Sequence, residues 1–335
     1  MTRLSMAILC LTAVFILCGC GGNESRWEVN LSSTDVPEVN IKRYGKALFS
    51  ADTAHLVQEL KGLQEGFLFF LGGDLDDPDN VERIRNYVSD TVLREVANDV
   101  ITAYPHLDDL EIELTEAFRH FRYHYPSLRL PSVYSYISGL DYENRIALVD
   151  SVLIIAIDLY LGSDYEKYSR AVIPGYIIRR LEKKYIVPDC MREMGESLVR
   201  PEYTGNTLLD QAVRQGKILC FMQAMQPGQP DSVIMGYTEA QMDWAASHEA
   251  DMWGFIIENR FLYTSDMMVI RKFVQDGPFT SFFGNESPPR LGWWIGWKIV
   301  KAYLDKRPET ELKELLNIYD AQEMLRVSGY KPSKM

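Results

Sequence analysis

From residue 52 onward, apolar side chains recur first at helical spacing, then in short runs, then at helical spacing again. Leu56, Leu60, Leu63 and Phe67 form one stripe, predicting a helix over 52–70 that ends at Gly72-Gly73-Asp74. Val81, Ile84, Val88, Val92, Val96 and Val100 line one face of a second predicted helix over 79–102. A third covers 109–124 and stops at Pro126. The pattern then changes. Residues 130–138 (LPSVYSYIS) and 146–161 (IALVDSVLIIAIDLYL) are rich in β-branched and aromatic residues, with Gly139-Leu140-Asp141 between them. They predict a small sheet of short strands. Helical patterning returns over 175–184, 188–198, 207–225, 238–261, 289–304 and 309–316, with Pro or Gly at nearly every joint. Helices, a short sheet and more helices make the expected fold class α+β, mostly helical.

The N-terminus follows another rule. Behind Arg3, residues 6–20 (MAILCLTAVFILCGC) carry no charge for about fifteen positions. That is too short to cross ~30 Å of hydrocarbon as a helix, and it matches the basic and apolar regions of a secretory signal. Leu17-Cys18-Gly19-Cys20 looks like a lipobox, which implies cleavage after Gly19 and acylation of Cys20. At ~0.8 kcal/mol per buried CH₂, two or more acyl chains make a stable anchor. The expected organisation is a signal peptide over 1–19, a lipidated N-terminus and polar tether over 20–38, and one large domain over 39–335. The expected location is the cell envelope, facing the periplasm. No aspartate follows Cys20, so an inner-membrane retention signal known from other bacteria is missing, and which membrane holds the anchor stays open.

Composition narrows the partners. With 35 basic and 47 acidic residues the net charge is −12, which argues against nucleic acid and anionic membrane surfaces. Cys190 and Cys220 remain once the signal and the lipidated cysteine are set aside; they could form a disulfide or sit as two buried thiols.

Candidate chemistry is sparse. His248-Glu249 begins like H-E-x-x-H, but Met252 stands where the second histidine should be. His120 and His124 lie one turn apart with Glu116 a turn earlier, a face that could bind a divalent ion or be the edge of a packed helix. No G-x-S-x-G elbow exists, and Gly72-Gly73-Asp74 is not followed by the Lys-Ser/Thr of a phosphate loop. Five of the six tryptophans fall between Trp244 and Trp297. Gly292 and Gly296, four apart in GWWIGW, would let another backbone come close, so the cluster reads as a rigid core or as an outward-facing anchor for a partner or ligand.

Taken in order, Tyr237-Thr238, Trp244, His248-Glu249, Trp253, Leu262-Tyr263, Pro278-Phe279, Ser287-Pro288, residues 292–300 (GWWIGWKIV), Asp320-Ala321-Gln322 and Ser328-Gly329-Tyr330-Lys331-Pro332 resemble the gliding motility lipoprotein GldB family of Bacteroidetes. Leu130-Pro131-Ser132-Val133-Tyr134, Leu153 to Asp158 with Leu161-Gly162, and Thr207-Leu208-Leu209-Asp210 with Gly216-Lys217 fit the same family. The resemblance implies a lipoprotein with protein partners in gliding or type IX secretion machinery, or in envelope maintenance where cells do not glide. That family in turn resembles predicted zinc peptidases with a zincin-like (gluzincin-like) layout, in which a sheet precedes an H-E-x-x-H helix. Mapped by order, that helix falls on Arg192-Glu193-Met194-Gly195-Glu196, and the glutamate-glycine pair of the next helix becomes Gln215-Gly216. Arg192 replaces the first histidine, and a permanent cation stands where a metal should bind. The resemblance therefore implies a degenerate metal site, a pseudoenzyme without cofactor, and a binding groove around Arg192, Glu193, Glu196 and Gln215. Glu193 is expected to pair with Arg192 or a neighbouring base. The alternative is a zinc-dependent peptidase or hydrolase with an atypical site, using Glu193, Glu196 and a distant histidine. A carbohydrate- or peptide-binding module with exposed tryptophans is a third reading.

If Cys20 carries the anchor, Cys20→Ala moves the protein from the membrane pellet to the soluble fraction; retention of the variant in the pellet at high salt would refute the lipobox reading.

Overall fold

A computed structural model of the chain describes residues 26–199 and 205–333. Cys20 and the signal segment lie outside them. Helices flank a four-stranded sheet of order β1-β2-β4-β3, an α+β arrangement that is mostly helical. The strands are β1 (Lys42–Arg43), β2 (Ser132–Tyr136), β3 (Ile146–Val149) and β4 (Val152–Ala156). β1, β2 and β4 run parallel, and β3 pairs antiparallel with β4 as an edge strand. The 146–161 run therefore holds a hairpin, reversed at Asp150, which takes φ +53°. Central β4 buries Leu153, Ile155 and Ala156 completely. β1 has no strand signature of its own. It exists because Lys42 and Arg43 pair with Tyr134 and Ser135.

Three predicted helices are each broken in two. The 79–102 helix is Pro78–Ser89 and Thr91–Ala103. Between them Asp90 is extended (ψ 126°), and its carboxylate accepts the Leu93 amide at 2.9 Å, starting a new helix. The valine spacing runs through the break, so Val96 and Val100 are buried whereas Val92 is 60% exposed. The 238–261 helix divides at His248 into Glu239–Ser247 and Glu249–Glu258, and the 52–70 helix into Leu56–Gln64 and Leu68–Leu71.

The stretch expected as a tether is seated on the body from Arg26 onward. Trp27, Leu31 and Val36 are buried. The Val39 and Ile41 amides donate to Thr115 Oγ1 (2.9 Å) and Glu111 Oε1 (2.7 Å) of the Asp108–His124 helix. Arg26 donates to the carbonyls of Leu304, Pro308 and Thr310, satisfying a helix C-terminus.

Two long helices form the centre. Leu208–Met225 begins in a capping box, in which Thr207 and Asp210 satisfy each other's amides. Its partner is Leu291–Lys306. Where they cross, a Cβ on Gly296 would lie 1.7 Å from the Ala212 carbonyl oxygen, and one on Gly216 would lie 2.3 Å from the Gly296 oxygen. Only glycine permits this approach. Gly292 is similarly pressed against Phe273, with its would-be Cβ 3.0 Å from that backbone oxygen. Trp293, Trp294 and Trp297 are buried around the crossing, so the tryptophan cluster is the core expected of a tight seam. The reading with exposed stacking platforms does not hold, because Trp244 and Trp253 are also partly covered. Cys190 and Cys220 are both free, buried thiols.

Gly296→Ala forces backbone against backbone and is expected to cost at least about 3 kcal/mol. Gly254→Ala, at a helical glycine with nothing within 4 Å, is expected to stabilise by about 1 kcal/mol. Urea midpoints of the two variants would separate these signs.

Candidate functional site

Arg192, Glu193 and Glu196 stand on the Ile186–Leu198 helix, which lies against edge strand β3 and against the Leu208–Met225 helix that carries Gln215. Residues four apart share a helix face, so Arg192 reaches Glu196 Oε1 at 3.0 Å. The same Nη2 donates to Gln215 Oε1. Its guanidinium lies 3.9 Å from the centre of the Trp293 ring. The other oxygen of Glu196 takes Arg214, a neighbour of Gln215 that no sequence motif marks. The structure thus brings together Arg192, Glu196 and Gln215 and adds Arg214 and Trp293.

Glu193 does not behave as expected. Its carboxylate is half-buried and receives the backbone amide of Leu148 on β3, while Glu196 takes the direct ion pair with Arg192. Burial raises the Glu193 pKa, repulsion from Glu196 adds to this, and the Leu148 amide and Arg192 oppose it. In the β3–β4 register, Ala147 faces Ile154 and Leu148 faces Leu153. Successive residues of an antiparallel edge strand alternate between pairing inward and pointing their amides outward. Glu193 therefore closes part of the sheet's open edge.

A second polar cluster joins this one through Trp293, because the Arg290 guanidinium also lies over that ring, at 4.2 Å. Arg290 is 1% exposed and donates to the Met235 and Gly236 carbonyls. Asp276 faces Arg180 at 3.1 Å and Arg290 at 3.3 Å. Asp189, one turn before Arg192, accepts Tyr160 OH at 2.9 Å and faces Arg180 at 3.4 Å and Arg145 at 3.8 Å. Gly236 takes φ +70° there, and a Cβ on it would lie 2.9 Å from Arg180 Nε. Burial above all, then repulsion from Arg290 and Arg145, lowers the Arg180 pKa to about 10. These residues come from six separate stretches of chain, and no sequence motif connects them.

The histidine candidates resolve into packing. His248 is the joint between two helices; it stacks on Trp244 at 4.1 Å and 10°, and its Nδ1 meets the Trp244 carbonyl. Glu249 accepts Trp294 Nε1 and Tyr330 OH, each at 3.0 Å. His120 is buried, 3.8 Å from Glu116. His124 packs edge-on against Trp27 at 6.2 Å and against Tyr123 at 5.0 Å. Among the described residues, no group of three His, Cys, Asp or Glu side chains is placed to hold a metal ion.

The model of the family described as gliding motility protein GldB matches residues 24–332, and the chain belongs to that family. No curated protein and no solved structure matches it.

Burial first, and His120 second, depress the His124 pKa to about 4. The unfolded chain takes up that proton near pH 6.5 and the folded chain only near 4, so this contribution is complete above pH 6.5 and is lost as pH falls toward 4. His124→Gln is expected to flatten the decline in urea midpoint between pH 7 and pH 4.5. An undiminished decline would assign it to other groups.

Proposed function

We propose that this member of the GldB family is a non-catalytic envelope lipoprotein, anchored through Cys20 and facing the periplasm. Its role is that of a component of gliding motility and type IX secretion-linked machinery, with protein partners. In this reading the domain is a zincin-like scaffold whose metal site has become an ion-paired groove. The order of elements supports it: a short sheet with an antiparallel edge strand, then the helix of Arg192 to Glu196, then the helix of Gln215 packed on it.

The observation that carries the reading is Arg192. Its guanidinium occupies the ligand positions itself, bonded to Glu196 and Gln215 and stacked on Trp293. An arginine stays protonated at any physiological pH, so a divalent ion a few ångströms away would meet direct repulsion in a poorly screened site. Glu193, where the layout has its general base, is engaged by the Leu148 amide. What remains useful is a set of charged side chains already held in place between the motif helix and the Leu208–Met225 helix.

Two measurements test this. Purified full-length protein is expected to contain no stoichiometric zinc by elemental analysis, and Glu193→Gln is expected to leave motility intact. Bound zinc that disappears in Glu193→Ala and Glu196→Ala would instead establish the zinc hydrolase.

A further inference from the structure

The cluster around Asp276 holds more positive charge than its own carboxylates can neutralise. Among the described residues, Arg145, Arg179, Arg180 and Arg290 face only the carboxylates of Asp189 and Asp276. The adjoining set balances itself, Arg192 and Arg214 against Glu193 and Glu196. Two guanidinium charges are therefore left over in a region that is largely closed to water, inside a chain whose net charge is −12. Burying charge without a counter-charge is unfavourable, because the desolvation is not repaid by attraction.

Hydrogen bonding repeats the deficit. Arg180 and Arg290 are 6% and 1% exposed, yet Arg180 Nε and Arg290 Nη1 have no acceptor among the described residues. Arg145 approaches Asp189 only to 3.8 Å, and among the described residues no carboxylate forms an ion pair with Arg179, whose pKa is lowered by burial first and then by repulsion from Arg180. Arg145, with 20% of its side chain exposed, and the partly buried Arg179 are the members nearest solvent, close to Asp276, which is 34% exposed. Planar guanidiniums in this number are the usual means of gripping a tetrahedral or planar oxyanion through paired N–H groups.

We propose that this cluster is a binding site for a dianionic oxyanion, a phosphate group, held at its mouth by Arg145 and Arg179 and backed by the buried Arg180 and Arg290. The surplus of two positive charges selects a dianion over a monoanionic carboxylate. The site is independent of whether the Arg192 groove has catalytic activity. Its position, joined to that groove through Trp293, would let occupancy stiffen the groove's floor.

The test uses the detergent-solubilised full-length protein at pH 7.5. Inorganic phosphate is expected to raise the melting temperature by several degrees over sodium chloride at matched ionic strength, with sodium acetate giving no such rise. Arg179→Gln is expected to weaken phosphate binding by at least about tenfold in calorimetric titration. In chloride alone, that variant is expected to melt no lower than the parent, because it removes an uncompensated charge. An equal effect of acetate, an unchanged affinity in Arg179→Gln, or a variant destabilised in chloride would each overturn the proposal, the last by making Arg179 an ordinary structural ion-pair partner. Glycerol 1-phosphate distinguishes the sources: tighter binding than inorganic phosphate assigns a phosphorylated molecule or headgroup, and weaker binding assigns the free ion.

Discussion

The backbones of two helices touch at Gly216 and Gly296, and the rest of the molecule is arranged around that contact. Backbone-to-backbone approach leaves no room for a Cβ, so the crossing point is set by glycine and by nothing softer. Its consequences follow from adjacency. Arg214 and Gln215 immediately precede Gly216, and Trp293 lies one turn before Gly296. Holding the two glycines together therefore delivers Gln215, Arg214 and the Trp293 ring to one place, where Arg192 and Glu196 arrive from the motif helix. This ion-paired cluster is a by-product of how closely two helices can pack.

Charge is distributed against the overall trend. The chain is acidic, yet its interior collects guanidiniums, and the aromatic ring between the two clusters accommodates them. Cation–π contacts with a desolvated ring are worth about 2 kcal/mol, which makes Trp293 a favourable neighbour for both Arg192 and Arg290. The arrangement is costly to disturb from either side, because removing one partner strands a buried charge.

Edge strands invite pairing with other chains, and proteins blunt them with charges and covering elements. Here Glu193 performs that role on β3 by engaging the Leu148 amide. A carboxylate beside the edge strand thus has a structural task of its own.

Sequence alone established the class, the order helices–sheet–helices and the close-packing glycines at Gly292 and Gly296, because each rests on local periodicity or glycine spacing. It could not place the helix breaks at Asp90 and His248, since the apolar spacing continues straight through both and the break is chosen by capping and by which core each half must reach. Strand β1 was equally invisible: Lys42 and Arg43 have no β-pattern and are extended only because β2 pairs with them. The assignment of Glu196 rather than Glu193 to Arg192 turned on which face of the helix meets β3. The arginine cluster is the extreme case. Arg145, Arg179, Arg180, Asp276 and Arg290 are scattered over almost half the chain, and no spacing rule connects them. Tertiary packing brought them together, and burial then turned ordinary surface residue types into an electrostatic feature.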